Sequence, residues 1–362
     1  MAVPESVFNM ATISPENPPI YYRSLFLFFG YLSLVTFLAS LCCRTIYTRY
    51  QARQKKNDWA TSQRRTHAFL FVLLAALSLG TTWYYMISFF VHSFNNWSTG
   101  PKGLPYAATH GAEGSLPLLT RMGLWLNDTY IFQEAWETVS KSPARVWWSG
   151  QIFGWTIGWS LFLGITGRRY RIPHVWVYML IAQAVGVSVA ANLFFAAITV
   201  SARPDEKNIL FAWAPPLLYE VVPVALSLLD TLAVPIFAYR KGFMPILLAP
   251  HFLVFIPCVL GPRSSSSVSS KLQGQRTTQR YAVCMQWVAA ASVVLQAYFT
   301  FLALQEIGSD LPYSEVARRL LGTFYDHPAC SSVSWDVVMC TISAFFWALV
   351  HGFDAGRMLG GY

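Results

Sequence analysis

Residues 124–164 read LWLNDTYIFQEAWETVSKSPARVWWSGQIFGWTIGWSLFLG. Asp128, Glu134 and Glu137 precede Trp147 and Trp148, and the two tryptophans begin a mostly apolar run. That run is long enough to enter a bilayer, because a spanning helix needs about 20 such residues. The stretch therefore predicts a group of carboxylates and indoles at a membrane boundary, directly before a transmembrane helix.

The composition of the chain indicates a bilayer environment. Of the 362 residues, 54% are hydrophobic and 12% are charged, whereas soluble domains average about 25% charged residues. The formal net charge is +9, but the basic residues form short runs between apolar segments, which argues against nucleic acid as a partner. Six cysteines without a CxxC spacing indicate neither a disulfide framework nor a zinc site.

The apolar segments predict an all-α, polytopic integral membrane protein. We expect about eight transmembrane helices in one bundle, with seven as the alternative count, and a single domain over residues 1–362. The predicted spans are residues 24–43, 68–91, 146–166, 175–200, 216–239, 242–261, 281–304 and 336–351. Prolines at positions 245, 250 and 257 predict that the sixth span is kinked or broken.

The charges of the connections predict the orientation of the spans. Residues 44–66 carry seven Lys or Arg against one Asp, and residues 168–171 carry three Arg, so both are expected in the cytoplasm. The connection 92–145 is then a lumenal, amphipathic segment, in which Asn96 begins a glycosylation sequon. For the basic segment 262–280, alternation of eight spans predicts a lumenal position that its charge contradicts, and the sequence leaves this conflict open.

Several kinds of chemistry lack their motifs in this chain. There is no DDxxD or DxDD for magnesium-dependent prenyl chemistry, and there is no HxxxH or HxxHH for a di-iron centre. The GxxxxGK[ST], GxGxxG and GxSxG motifs are missing as well. We therefore predict neither a metal nor a cofactor, and the remaining possibilities are metal-free acid and base chemistry or no catalysis.

The acidic residues are the candidates for such chemistry. If residues 128–139 form one helix, Asp128 shares a stripe with positions 132, 135 and 139, while Glu134 lies on another stripe. A helix on the membrane surface with solvated glutamates is the alternative. Glu220 and Asp230 lie inside an apolar run, where an acid costs about 2.5–3.5 kcal/mol at mid-helix. For these two acids the alternative is a structural pairing with Arg240, or with Gln183 and Asn192 on the fourth predicted span.

Carboxyl groups in a dry pocket suit one type of reaction. A desolvated carboxyl can keep its proton near neutral pH and deliver it to an epoxide oxygen or an alkene, while a carboxylate elsewhere accepts one. Carbocations formed on the way need a water-free site with aromatic faces. The 14 Trp, 18 Tyr and 26 Phe of the chain are enough to line such a site.

Three segments resemble a known family. LWLNDTYIFQEAWETV, RVWWSGQIFGWTIGWSLFLG and GRRYRIPHVWVYMLIAQAVGVSVAANLFF are similar to the membrane-bound terpene cyclases of fungal meroterpenoid clusters, typified by the ascofuranone and ascochlorin cyclases. The resemblance covers residues 115–200. It implies cyclisation of a farnesyl chain on an aromatic or quinone-like ring, started by protonating a terminal epoxide or olefin, without a metal and without loss of diphosphate.

The leading hypothesis is therefore a membrane-bound terpene cyclase of the endoplasmic reticulum, which takes a prenylated small molecule from the lipid bilayer. The expected catalytic residues are Asp128, Glu134, Glu220 and Asp230, and the expected substrate-binding residues are Trp125, Trp136, Trp148, Tyr219 and Asn192. This hypothesis requires the acids near 128–137 and those near 220–230 to converge on one chamber.

Two other functions stay open at this point. A transporter or receptor without catalysis predicts a water-connected path faced by Gln183, Asn192, Glu220 and Asp230. The cyclase predicts a closed, aromatic and mostly dry cavity near residues 125–150, and a membrane isomerase acting on sterol-like olefins shares its acid chemistry. The sequence leaves open the oligomeric state, the exact substrate, and which carboxyl carries the proton.

Overall fold

The computed structural model describes residues 20–55, 62–103, 116–202, 204, 209–216, 218–261, 271–308 and 310–360. Over these residues the chain is all-α, as predicted. The helices are α1 (Tyr22–Lys55), α2 (Ser62–Thr99), α3 (Leu118–Asp128), α4 (Ile131–Val139), α5 (Pro143–Arg169), α6 (Val175–Ala184), α7 (Val187–Thr199), α8 (Ile209–Ala212), α9 (Leu218–Phe237), α10 (Phe243–Leu253), α11 (Ile256–Val259), α12 (Lys271–Ile307), α13 (Tyr313–Gly322), α14 (Pro328–Val350) and α15 (Ala355–Met358). Among the described helices, five are long and apolar enough to cross a membrane, namely α1, α2, α9, α12 and α14.

α5 is the helix around which the others pack. Its side chains are buried along most of its length, and it contacts α9, α11, α12 and α14. Gly164 permits the contact with α11, because a Cβ there would stand 2.4 Å from the Pro257 carbonyl oxygen. α5 is not among the five candidate spans, since glycine, serine, threonine and tryptophan alternate with its apolar residues.

Arginines gather at one end of the bundle, which we call the basic end. Arg49 donates to the carbonyl oxygens of Tyr170 (3.2 Å) and Arg171 (2.5 Å), and Arg53 donates to that of Ser201 (2.5 Å). These bonds hold the last turns of α1 against the turn after α5 and the second residue after α7.

The opposite end, which we call the loop end, contains α3, α4 and α13. The Ser149 hydroxyl in α5 donates to the Val139 carbonyl oxygen at the end of α4 (3.0 Å), and the Thr323 hydroxyl after α13 donates to that of Ala144 (3.3 Å). The predicted connection 92–145 is thus the last turns of α2 followed by two short helices and the start of α5, with residues 104–115 outside the described part of the chain.

The predicted span over residues 175–200 is instead a helical hairpin. The rings of Tyr178 and Phe194, sixteen residues apart, lie 5.2 Å apart between centroids, whereas a continuous helix would separate them by about 24 Å. The chain reverses at Val185 and Gly186, and both arms end at the basic end, since Ser201 also accepts a bond from Arg49. The prediction of eight spans is therefore not confirmed.

The sixth predicted span is broken, as its prolines indicated. α10 ends at Leu253 and α11 begins at Ile256. Phe243, at the start of α10, packs against Phe153, while the Pro257 carbonyl in α11 accepts a bond from Arg168 at the basic end (3.3 Å). The two helices together thus lead from the loop half of the bundle back to the basic end.

The hairpin removes the conflict over the basic connection before α12. Because residues 175–199 enter and leave at the same end, the described start of α12 also lies at the basic end, where Arg169 donates to the Thr278 hydroxyl (2.9 Å). Residues 262–270 lie outside the described part of the chain. The described start of α12 thus lies at the end that the charge pattern favours, and not at the end expected from strict alternation of eight spans.

Candidate functional site

The main cavity has a volume of about 570 Å³ and lies between the loop end and the tip of the hairpin. α4 forms one wall of it through Phe132, Ala135, Trp136 and Val139. Positions 132, 135 and 139 are the ones that helical periodicity placed on one stripe with Asp128. The remaining walls come from α1, α2, α5, the hairpin tip, α10 and α14.

The walls are mostly aliphatic and aromatic. The aromatic side chains that line the cavity are Phe28, Tyr31, Phe89, Phe90, Phe132, Trp136 and Phe153. A volume of several hundred Å³ is typical of a site for a small organic ligand. The cavity therefore has the size and the mostly apolar lining of a site for a lipophilic small molecule.

Asp336 is the one carboxyl among the described residues that line the cavity. It lies on α14, is 7% exposed, and faces the hairpin tip. Its Oδ2 accepts a bond from the Val187 N–H (2.9 Å), and its Oδ1 accepts bonds from the Ser188 N–H (2.8 Å) and hydroxyl (2.5 Å). Since the first N–H groups of a helix attract negative charge, the start of α7 is placed to stabilise the carboxylate that Asp336 becomes when it gives up a proton.

Gly186 brings the hairpin tip against this carboxyl. A Cβ at Gly186 would stand 3.2 Å from Asp336 Oδ1, which is tighter than most side chains tolerate. Tyr31 in α1 donates its hydroxyl proton to the Ala184 carbonyl oxygen at the end of α6. Tyr31 and Asp336 thus hold the hairpin tip from two sides, and the backbone of the tip lines the cavity beside Asp336.

His251 is the one imidazole among the described lining residues. Its Nδ1 lies 2.7 Å from the Leu247 carbonyl oxygen, which can only accept, so Nδ1 carries a proton. The ring lies edge-to-face with Trp136 (5.6 Å between centroids), Phe153 (6.1 Å) and Phe132 (6.4 Å). In the neutral ring, Nε2 is then the nitrogen with a free lone pair.

The three acids of residues 124–164, namely Asp128, Glu134 and Glu137, do not line the cavity. Asp128 accepts a bond from Trp97 Nε1 (3.0 Å), and Glu134 accepts one from the Ser93 hydroxyl (2.8 Å). Asp128 is off the apolar stripe because α3 ends at it and the extended residue Thr129 separates it from α4. Glu137 accepts a bond from Gln133 (2.7 Å). These bonds tie α2, α3 and α4 together.

Glu220 belongs to an ionic cluster at the basic end. It is 3% exposed. Its Oε1 accepts bonds from Arg168 (3.2 Å) and the Tyr281 hydroxyl (3.0 Å), and its Oε2 lies 3.6 Å from Arg280. Asp230 is half-buried farther along α9, about 15 Å from Glu220. The cluster is a structural pairing, the kind of role that the sequence left as the alternative for Glu220, although its partners differ from the residues expected there.

The two groups of acids do not converge, which corrects the expectation of a shared chamber. Asp128 lies before the start of α5, whereas Glu220 contacts Arg168 at its end. A helix of 27 residues is about 40 Å long. Asp128, Glu134, Glu220 and Asp230 are absent from the described residues that line the cavity.

One of the five predicted substrate-binding residues, Trp136, lines the cavity. Trp125 donates to the Ser93 hydroxyl (3.2 Å), Trp148 packs against Phe324, and Tyr219 is exposed on α9. Asn192 is fully buried in α7, where its amide bonds Ser78, Ser343 and the Ser188 carbonyl. Asn96, the predicted glycosylation residue, is exposed on the last turns of α2 beside His92 (2.9 Å).

Sequence reasoning missed Asp336 and His251. The predicted eighth span began at Asp336, so this acid was counted as a boundary residue, but α14 begins at Pro328, two turns earlier. An acid inside an apolar helix is a usable signal, and the correct start of the helix would have revealed it. His251 follows Pro250 in the sixth predicted span. No local sequence pattern there distinguishes a histidine that lines a cavity from one that is packed between helices.

Comparison with known proteins gives no relative for this chain. No family model matches it, and neither a curated protein nor a solved structure matches it significantly. Within the described residues, no group of three His, Cys, Asp or Glu side chains is placed to hold a metal ion.

Proposed function

We propose that this chain is a membrane enzyme that cyclises the prenyl chain of a lipophilic substrate, and that the main cavity is its active site. The observation that carries the proposal is a mostly apolar cavity, walled by aromatic side chains, in which Asp336 on α14 is the one carboxyl among the described lining residues and faces the hairpin tip. Aromatic faces stabilise a carbocation without trapping it, and the exclusion of water prevents premature capture.

In this proposal, Asp336 acts as the general acid that starts the reaction. The protonated carboxyl gives its proton to a terminal epoxide oxygen or olefin carbon of the prenyl chain, and the neighbouring double bonds close the rings. The Val187 and Ser188 N–H groups stabilise the carboxylate that remains, because they point at it before the reaction begins. Preorganised donors of this kind need no rearrangement when the charge appears.

The substrate class follows from the cavity and from the sequence resemblance. A volume of about 570 Å³ suits a farnesylated aromatic or quinone-like compound, which reaches the site from the lipid bilayer. The long apolar helices support an integral membrane location, and we assign the chain to the endoplasmic reticulum on the resemblance to fungal meroterpenoid cyclases. In this assignment the reaction belongs to secondary metabolism and needs neither a metal nor a cofactor.

We further propose seven membrane crossings, made by α1, α2, α5, α9, the α10–α11 pair, α12 and α14. The basic end then faces the cytoplasm, as the positive-inside bias favours, and the hairpin α6–α7 enters and leaves from that side. Non-helical backbone at membrane depth is tolerated where it lines a cavity, as Val185 and Gly186 do. The sequon at Asn96 then lies on the lumenal side.

The transporter alternative has less support. Of its four expected path residues, Gln183 lines the cavity, whereas Asn192 is bonded inside the packed helices and Glu220 is paired at the basic end. These side chains do not share one polar route within the described part of the chain.

The test is conversion of a farnesylated phenol with a terminal epoxide by microsomes that contain the protein. Wild type should yield a cyclised isomer of equal mass. Asp336→Asn should lower its formation by about 10²–10⁴-fold, the usual contribution of a general acid, while protein level and melting temperature show that the variant folds. Asp230→Asn, an acid in a membrane helix away from the cavity, is the matched control and should retain activity.

A second variant tests the cavity without changing the acid. Ala135→Trp places a large side chain on the α4 wall, so it should block the substrate while Asp336 and its bonds remain. Undiminished product from both Asp336→Asn and Ala135→Trp would exclude this cavity as the active site.

A further inference from the structure

A cyclisation that begins with a proton must also end with the loss of one. After the rings close, a carbocation remains, and a base has to remove a proton from a neighbouring carbon to leave an alkene. Asp336 regains its acidic proton only when that proton returns to the site. The second proton-transfer group should therefore line the same cavity, within reach of the far end of the substrate.

His251 is the residue whose position meets this requirement. It lies on α10, on a different wall from Asp336 on α14. Its Nδ1–H is committed to the Leu247 carbonyl oxygen (2.7 Å), which fixes the ring orientation and leaves Nε2 as the acceptor. Trp136 and Phe153 surround the ring, so a cation brought to Nε2 also meets aromatic faces.

We propose that Nε2 of His251 is the base that ends the cyclisation, an inference that rests on the proposed function. The Nε2 lone pair takes a proton from the carbon beside the cationic centre, and the electron pair of that C–H bond becomes the alkene. The products of this step are a neutral cyclised isomer and an imidazolium. Transfer of the imidazolium proton to the Asp336 carboxylate, directly or through water, restores both groups, so the overall reaction is an isomerisation that consumes no co-reactant.

The test is the product distribution of His251→Phe in the microsomal assay. Phenylalanine keeps the ring and its aromatic contacts but has no nitrogen. Because the acid is intact, substrate should still be consumed, within about tenfold of wild type, and the change should appear in the products. Loss of the base should divert at least half of the product to other alkene isomers or to an alcohol heavier by one water.

The chain offers a matched control in His351. Its Nδ1 also contacts the carbonyl oxygen four residues earlier, that of Trp347 (2.8 Å), and its ring also lies against a tryptophan (4.0 Å between centroids). His351 follows α14 and is absent from the described residues that line the cavity. His351→Phe should give the wild-type product alone.

Three outcomes separate this inference from the proposed function. If Asp336→Asn is inactive and His251→Phe makes the wild-type product at the wild-type rate, the role of His251 is overturned and the cyclase remains. If His251→Phe and His251→Gln both fold but consume no substrate, His251 acts at the start of the reaction and the role is again overturned. If the wild type forms no cyclised isomer, the proposed function itself fails.

Discussion

At the scale of single residues, the His327 ring caps α14 only while it is neutral. Its Nδ1 accepts a bond from the Ala329 N–H (3.2 Å), so that nitrogen cannot also carry a proton. Burial lowers the pKa of His327 to about 4, and the nearby His92 ring and Arg145 guanidinium act in the same direction. The stability gained from the neutral ring is therefore complete above about pH 6.5, the ordinary value for histidine, and is lost as the pH falls toward 4.

We expect the melting temperature of the purified protein to fall as the pH is lowered from 6.5 to 4. His327→Asn should flatten this dependence, because asparagine also caps a helix and does not titrate. His174→Asn changes an exposed histidine at the basic end and should keep the wild-type slope. A His327→Asn protein with the wild-type slope would show that another group carries the acid sensitivity.

Glu220 stabilises the basic end rather than the reaction, and the Glu220→Gln variant tests this. Removing the charge leaves Arg168, which is 9% exposed, without its counter-ion, and a broken buried pair costs about 3–5 kcal/mol. The melting temperature should fall clearly, while folded protein should keep the cyclising activity proposed for this chain. Glu315→Gln removes a carboxylate that pairs with the exposed Arg318 and Arg319 and should change little. A Glu220→Gln variant that is inactive but as stable as the wild type would contradict this account.

At the scale of elements, close backbone contact between α5 and α11 should depend on Gly164. Gly164→Ala would place its Cβ 2.4 Å from the Pro257 oxygen and 2.8 Å from its carbonyl carbon, so the two helices must separate. Gly158→Ala, six residues earlier, meets Val288 at an ordinary 3.8 Å. Alanine also favours a helix over glycine by about 1 kcal/mol.

Gly164→Ala should therefore lower the melting temperature, and Gly158→Ala should leave it unchanged or raise it. Thermal unfolding in one detergent measures both variants side by side. Equal melting temperatures of the two variants would show that α11 yields to the added methyl group without cost.

The sequence predicts some elements well, for reasons that can be named. Positions 132, 135 and 139 were predicted to share one face of a helix, and that face lines the cavity. Helical periodicity predicts such a face without knowledge of the surrounding fold. The break in the sixth span follows from Pro250 and Pro257, which remove backbone donors. The hairpin was not predictable, because an apolar segment of 26 residues has the same hydropathy whether it crosses the bundle or turns at Gly186. Asp336 was missed because the weakly apolar first turns of α14 hid the start of the helix.

At the scale of the whole molecule, the hairpin decides which connections share a side of the membrane in the proposed topology. Cysteine variants of His174 and Ala202, at the two ends of the hairpin, should react with an impermeant maleimide from the same side in sealed microsomes. A cysteine in place of Lys102, after α2, should react from the other side. Labelling of the two hairpin variants from opposite sides would show that residues 175–200 cross the membrane, as hydropathy predicted. That result would contradict seven crossings.

The convergence of distant acids was the part of the site that local sequence patterns could not decide. Glu220 and Asp230 were predicted to be catalytic because they interrupt an apolar run. An acid that pairs with arginines near the end of a helix interrupts an apolar run in the same way. Placing Asp336 against the start of α7 depends on a contact between residues about 150 positions apart, and periodicity carries no information over that distance.

Where the substrate binds is the central claim, and photolabelling measures it most directly. A farnesylated phenol with a diazirine on its prenyl chain and no epoxide would be irradiated with the protein in membranes, and the labelled peptides would be mapped by mass spectrometry. The account predicts labels on α4, on α10 near His251 and on α14 near Asp336, all removed by excess unlabelled substrate. Competed labels confined to the basic end around Glu220 would contradict it.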